Sequence, residues 1–245
     1  MRHLPRATAC AIALLLALCP LAAAAQGVTL DLGPDGSLTL RTVQLFLLIT
    51  ILSLAPGLAI MITCFPFMVT VLSILRQAIG VQQAPPNMMI VSLALFLTWF
   101  VMEPVFREAW TTGVGPLIDG TISPEEGFRL GMAPFTEFMS ARTDPDTLAM
   151  FIDLAPDRFD PEAPAPLNIL VPSFLLSEIQ RGFEVGFLVF LPFLIIDLVI
   201  AAILMSMGMM MVPPAVVSLP FKLAFFVLAD GWSLLAGALI RGYSG

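Results

Sequence analysis

Three charged residues interrupt an apolar stretch near the C-terminus, residues 191–232. Asp197 lies in the first half of this stretch, and Lys222 and Asp230 lie in the second half. Charged side chains among apolar residues are costly, so they are usually paired or functional. The residues therefore support three interpretations: a structural ion pair, a proton or ion relay, or two carboxylates that share a proton, as in an intramembrane aspartyl protease.

The same stretch has the pattern of a membrane hairpin. Gly208 and the pair Pro213-Pro214 stop any helix, and a long apolar arm lies on each side of this break. Counted along ideal helices from the break, Asp197 and Asp230 both lie roughly 21 to 23 Å away, at similar depth. The residues around Asp197 lack the flanking glycines that give an intramembrane protease access to its substrate.

Three consecutive methionines, Met209, Met210 and Met211, occupy the break itself. Methionine fills irregular apolar gaps, so such a run can be structural filler. Flexible thioethers also suit an apolar constriction that closes on itself and yields to varied substrates. The residues alone leave both interpretations open.

The composition indicates an all-α integral membrane protein. Hydrophobic residues make up 58% of the 245 residues and charged residues 12%, against about a quarter charged residues in a soluble domain. We expect two broken-helix hairpins, about four apolar spans in all, and a small helical extramembrane region. The net charge of -7 and the lack of a basic stripe argue against nucleic-acid binding.

Residues 1–25 have the three-part pattern of a cleaved signal peptide: basic residues, a short apolar core and a small-residue cleavage site. Cleavage would remove His3, Cys10 and Cys19. The mature chain would then contain one cysteine, Cys64, and no histidine. A disulfide, a His/Cys metal site or a catalytic triad cannot be built from that remainder. We therefore expect no cofactor, no metal and no enzymatic activity.

The mature chain divides into four predicted segments. Residues 26–41 are a short exported leader, and residues 42–106 form the first membrane hairpin. Residues 107–170 are an acidic helical periplasmic region, in which Ser123 and Asp144 are expected to cap two helices. Residues 171–245 form the second membrane hairpin with the methionine tip. Helix breaks outside the tip are predicted at four positions: Pro56, Gly57, Pro66 and Pro192.

Three blocks of this sequence resemble the FliP family, the P component of the flagellar type III secretion export gate. The C-terminal block, residues 190–232, contains the specific motif MGMMMVPP. The other two blocks are residues 75–106 and 173–187. The chain departs from the family in lacking a basic residue near Phe67 and in carrying Met88 where glutamine is usual.

The resemblance implies a core subunit of the flagellar export gate at the bacterial inner membrane. Family members form a homopentamer with the Q and R membrane subunits, next to other export-apparatus membrane proteins. Unfolded flagellar substrates pass through the centre of this assembly, and the methionine run would be its gate. The hairpins of family members lie obliquely and largely above the bilayer plane, surrounded in part by inner-membrane lipid.

Lys222 is the only lysine in the chain and lies about 10 Å from the tip on an ideal helix. By the same count, Asp197 and Asp230 of its own hairpin lie roughly 10 Å or more further along the axis. We therefore predict that Lys222 contacts an acid of a neighbouring subunit, either Glu178 or Asp197.

Two other functions stay open from the sequence. An injectisome export-gate subunit would share the same family features, although its members are usually shorter and lack a cleaved signal. A small membrane transporter, or the intramembrane aspartyl protease, would belong to a different class. The signal peptide predicts that the acidic region lies outside and the methionine tip inside.

Overall fold

The computed structural model describes residues 37–81, 85–155, 164–209 and 211–243. The regular elements in these residues are helices, with no strand among them. The signal peptide and most of the predicted leader lie outside the described residues. In chain order the helices are α1 (Ser37–Met61), α2 (Phe65–Ile79), α3 (Asn87–Ala109), a π-helical turn (Trp110–Val114), α4 (Gly115–Ile118), α5 (Pro124–Arg142), α6 (Pro145–Leu154), α7 (Leu167–Ser206), α8 (Pro214–Leu228) and α9 (Gly231–Arg241).

Within the described residues, three helical runs are long and apolar enough to cross a membrane: Thr42–Met61, Asn87–Ile118 and Leu167–Ser206. Helices α8 and α9 meet at 62° and could form a fourth, broken span. A bilayer core of about 30 Å needs about 20 helical residues, so each run suffices by length. The fold class predicted from composition, an all-α integral membrane protein, is confirmed.

The chain separates into two units, residues 1–52 and 53–245, with α1 running across the boundary. The hydrophobic core lies in the second unit. Its centre is one face of α2, where the side chains of Met68, Val71, Leu72 and Leu75 are almost fully buried. Residues spaced by three and four positions lie on one side of a helix, so this spacing presents a continuous apolar face.

Helix α2 packs most extensively against α7. Two glycines of α7 permit the close approach. A Cβ atom at Gly182 would lie 3.0 Å from Cβ of Thr70, and one at Gly186 would lie 2.3 Å from Cδ1 of Ile74. Small residues at such a crossing let two membrane helices gain van der Waals contact along their backbones.

The extramembrane helices begin where the sequence predicts. The Ser123 hydroxyl accepts a hydrogen bond from the Glu126 amide at 3.2 Å and caps α5. Asp144 caps α6 by accepting from the amide and the hydroxyl of Thr147, each at 2.8 Å. These hydrogen bonds hold the pKa of the Asp144 carboxyl below its usual range. Both predicted caps are confirmed.

Several predicted helix breaks are wrong. Helix α1 continues through Pro56 and Gly57, and α7 continues through Pro192. Proline removes one backbone hydrogen bond, and long membrane helices tolerate that loss because the flanking turns keep their own bonds. Helix α1 also begins at Ser37, so residues 37–41 of the predicted leader are helical.

Pro66 and the residues of the tip do lie at helix ends. Pro66 occupies the first turn of α2, where a missing amide hydrogen costs nothing. Gly208 follows α7 with a φ of +75°, a left-handed conformation that glycine adopts without strain. Pro213 precedes α8, and Pro214 is its first residue.

Candidate functional site

The buried face of α8 carries the one lysine of the chain. Ser218, Lys222 and Phe226 are spaced by four residues and are 0%, 6% and 8% exposed. This spacing places all three on one side of α8, the side that packs on α7. A polar group on that face needs a partner from another helix, since water does not reach it.

The partners of Lys222 come from two different helices. Its Nζ donates to Oδ2 of Asp197 in α7 at 2.6 Å and to the carbonyl oxygen of Ala78 in α2 at 3.0 Å. The hydroxyl of Ser218 donates to the other carboxylate oxygen of Asp197 at 2.5 Å. One ammonium group thus joins α2, α7 and α8 in the same chain.

The Ala78 carbonyl is a natural acceptor for a cation. It lies in the last turn of α2, where carbonyl groups have no partner within the helix and the helix dipole is negative. Gly80 ends this helix with a φ of +84°, and its amide donates to the carbonyl oxygen of Arg76. Lys222 therefore acts as a cap for α2 as well as a counter-ion for Asp197.

The predicted position of Lys222 relative to Asp197 is wrong. Helix α7 ends at Ser206 and α8 begins at Pro214, so the tip residues add no helical rise. Measured from these helix ends, Asp197 lies nine residues back and Lys222 eight residues on, or about 13 Å and 12 Å. The two side chains are level, and Lys222 pairs with Asp197 of its own chain.

The structure does not bring Asp197 and Asp230 together as a carboxylate pair. Asp230 lies at the bend between α8 and α9, with a φ of +49°, and its side chain is exposed. Its Oδ1 accepts a hydrogen bond from the Ser233 hydroxyl at 3.1 Å. Lys222 lies eight residues before it, about 12 Å along a helix axis. Asp197 is paired with Lys222 and is not close to Asp230, so the two carboxylates cannot share a proton as they would in an aspartyl protease.

The methionines of the tip that the structure describes, Met209 and Met211, have exposed side chains. Met209 is 42% exposed and Met211 is 98% exposed, and Met205 and Met207 at the end of α7 are also exposed. The Met209 amide donates to the Leu204 carbonyl at 3.0 Å, which closes the end of α7. Met210 lies outside the described residues. Met209 and Met211, the tip methionines that the structure describes, lie outside the buried core.

A second buried charge lies on α7, at Glu178. Its side chain is 0% exposed, and Oε1 lies 3.5 Å from Nε of Arg142 and 3.7 Å from Nη1 of Arg181. The hydroxyl of Tyr243 donates to Oε2. The sequence singles out Glu178 but gives no reason to connect it with Arg142 or Tyr243, since these residues lie in distant segments. The partners of Glu178 in this structure are intramolecular.

Among the residues that the structure describes, no group of three or more histidine, cysteine or acidic side chains could hold a metal ion. The free thiol of Cys64 is buried, and burial raises its pKa to about 12. A thiol of this kind is protonated at neutral pH and is a weak nucleophile. Among the described residues, the buried charges at Lys222 and Glu178 are in ion pairs with other residues of the chain.

Long apolar helices, a hairpin braced by the Lys222–Asp197 pair and a methionine tip define an α-helical membrane protein. Its sequence places it in a known family. A profile of the FliP family matches residues 48–239, and the chain belongs to that family.

Relatives from several bacteria share most of this chain. The flagellar biosynthetic protein FliP of Caulobacter vibrioides is 50% identical over 233 residues, which cover 94% of this chain and 88% of the relative. The protein of the same name from Agrobacterium fabrum is 47% identical, covering 95% of this chain and 97% of the relative. That of Bacillus subtilis is 46% identical, covering 82% of this chain and 92% of the relative. The predicted family is confirmed.

A double-mutant cycle measures the energy of the Lys222–Asp197 pair. We expect Lys222→Met and Asp197→Asn each to lower the unfolding free energy in mixed micelles by about 2–4 kcal/mol, because each leaves a charge or dipole without its partner. The double variant should lose at least about 1 kcal/mol less than the sum of the two.

The exposed pair Arg107–Glu103 on α3 provides the matched control. Its own cycle, with Arg107→Met and Glu103→Gln, should give a coupling of only about 0.3–0.5 kcal/mol. Equal coupling energies for the buried and the exposed pair would show that Lys222 does not brace the hairpin.

Proposed function

We propose that this chain is a core subunit of the flagellar type III protein export apparatus at the bacterial inner membrane. In this role, copies of the chain form the pore through which unfolded flagellar proteins leave the cytoplasm. Membership of the FliP family and the names of its relatives support the flagellar role. The pore is supported mainly by the methionine tip, which lies at the end of a hairpin whose two helices are joined by the Lys222–Asp197 pair.

The outer faces of the hairpin support assembly with other chains. Helix α7 exposes Phe183, Phe187 and Leu198, and α8 exposes Phe221 and Val227, each at more than half of its surface. Contiguous apolar surface of this extent is stable only against lipid or other apolar protein surfaces. A homopentamer that also binds the smaller Q and R subunits, within inner-membrane lipid, would cover it.

The Lys222–Asp197 ion pair supports a gating role for the tip, because it holds the two helices below the tip together. Lys222, Asp197 and Ser218 fix α7 against α8 about 12 Å below the helix ends. Of the tip residues that the structure describes, Met209 and Met211 are exposed, so their side chains can change rotamer while the arms stay in place. Methionine has three rotatable side-chain bonds and a polarizable sulfur, so it can close an apolar ring and adapt to a passing chain.

In this proposal the chain has no catalytic step. Its charged residues hold helices together, and the transported polypeptide meets apolar side chains. An apolar constriction resists ions by dewetting, so the ring of methionines from five copies would exclude protons and salts while no substrate is present. The acidic residues between the hairpins would lie on the periplasmic side, and the tip on the cytoplasmic side.

Deletion of the gene tests the proposed role against that of a small transporter. We expect the deletion strain to lack flagellar filaments and to retain hook-type substrates in the cytoplasm, with a normal membrane potential. A plasmid copy of the gene should restore both export and swimming. Flagellated, motile deletion cells with a defect in the uptake of one solute would instead support a transporter.

Replacement of the tip methionines tests the pore. In the complemented strain, changing Met209, Met210 and Met211 together to alanine should leave complex yield and export intact, because the helices are untouched. The smaller side chains should no longer close the ring, so cells should take up small dyes and grow slowly when the variant is overexpressed.

Changing the same three residues to leucine is the matched control, since leucine keeps the bulk but loses flexibility. This variant should exclude dye and export more slowly than wild type. A triple alanine variant that assembles and excludes dye as well as wild type would place the seal elsewhere.

A further inference from the structure

The C-terminal end of the chain returns to the extramembrane helix α5. The guanidinium group of Arg142, the last residue of α5, donates to the carbonyl oxygen of Gly242 at 2.8 Å. The same group lies over the ring of Tyr243, 3.9 Å from its centroid. A carbonyl contact together with a cation–π contact fixes both the backbone and the side chain of this terminal segment.

The ring of Tyr243 contacts two further aromatic residues. It packs edge-on against Phe67 of α2, with centroids 5.4 Å apart, and is stacked with Phe138 of α5 at 6.2 Å. Aromatic pairs at such distances contribute beyond their buried area. Tyr243 therefore links α2 and α5 through its ring, and it reaches α7 through its hydroxyl.

The hydroxyl of Tyr243 satisfies the buried carboxylate of Glu178. Oε2 of Glu178 accepts from this hydroxyl, whereas Oε1 has charge contacts but no hydrogen-bond partner among the described residues. A buried carboxylate that loses a hydrogen bond retains the full cost of its desolvation. Contact of the C-terminal segment with α7 thus stabilises the buried carboxylate of Glu178.

Cys64 lies within the electrostatic range of the same cluster. This residue, in the turn between α1 and α2, is 0% exposed, and Phe67 and Met68 just beyond it are also buried. Burial is the main cause of its raised pKa, and the negative charge of Glu178 raises that pKa further. Cys64 belongs to the same buried cluster as Phe67, and Tyr243 packs against that cluster. The native thiol therefore reports whether this region is closed.

From these contacts we infer that Gly242 and Tyr243 form a C-terminal strap, which closes over Glu178 and holds α5 against α2 and α7. Release of the strap frees the Arg142 end of α5, leaves Glu178 without its hydroxyl donor and opens the turn of Cys64 to solvent. The strap belongs to the single chain, so this inference is independent of the proposed export role.

The rate of maleimide labelling of Cys64 tests the strap. The experiment uses the purified full chain in detergent, with Cys10 and Cys19 changed to serine so that only one thiol reacts. We expect Tyr243→Ala to be labelled at least ~10-fold faster than the parent, because local opening exposes the thiol. Tyr243→Phe keeps the ring and loses only the hydroxyl, so its rate should rise by a smaller factor.

Leu234→Ala is the control, because Leu234 lies on the same terminal helix and is 59% exposed. Its labelling rate should equal that of the parent. Arg142→Gln, which removes both contacts with the terminal segment, should be labelled as fast as Tyr243→Ala. Helix content by circular dichroism separates opening from unfolding: faster labelling at unchanged helix content supports the strap.

The inference fails if Tyr243→Ala and Arg142→Gln keep full helix content and are labelled at the rate of the parent. It also fails if Tyr243→Phe alone unfolds the chain, since the hydroxyl would then support the global fold and not a local closure.

Discussion

The ammonium group of Lys222 cannot remain uncompensated between apolar helices, and the two groups that compensate it come from opposite halves of the chain. Asp197 supplies the opposite charge from α7, and Ala78 supplies a carbonyl group at the end of α2. Neither partner is near Lys222 in sequence, so the contact exists only when both hairpins are correctly packed. Removal of either partner would leave a costly buried group, which makes this pairing a strong constraint on the fold.

The remaining features of the second hairpin depend on that constraint. With α7 and α8 fixed level with each other, seven residues lie between Ser206 and Pro214. The described methionines of this segment that belong to the tip, Met209 and Met211, are exposed, as a deformable apolar constriction requires. At the other end of α7, Glu178 is held by Arg142 and Tyr243, so the extramembrane helices and the C-terminus are fixed to the same long helix.

The composition of the sequence is sufficient to predict an all-α membrane protein, but the sequence does not predict the contacts between residues that are distant along the chain. Local chemistry was sufficient for the caps at Ser123 and Asp144 and for the break at Gly208, because each depends on residues within one turn. The predicted depth of Asp197 is wrong because α7 ends at Ser206, several residues before the apolar pattern does. Pro56 and Pro192 do not end their helices, because long membrane helices tolerate a lost hydrogen bond. The contact of Arg142 with Tyr243 spans about 100 residues, and no local pattern indicates it.

The central claim, that Lys222 is paired within its own chain, can be tested directly because the chain contains one lysine. The isolated monomer in detergent is treated with an amine-specific acylating reagent, and the modification of Lys222 is followed by mass spectrometry. We expect Lys222 of the wild-type monomer to react at least ~10-fold more slowly than Lys222 of the Asp197→Asn variant. Rapid modification in the wild-type monomer, with protection only in the assembled complex, would instead show that the partner of Lys222 lies on a neighbouring subunit.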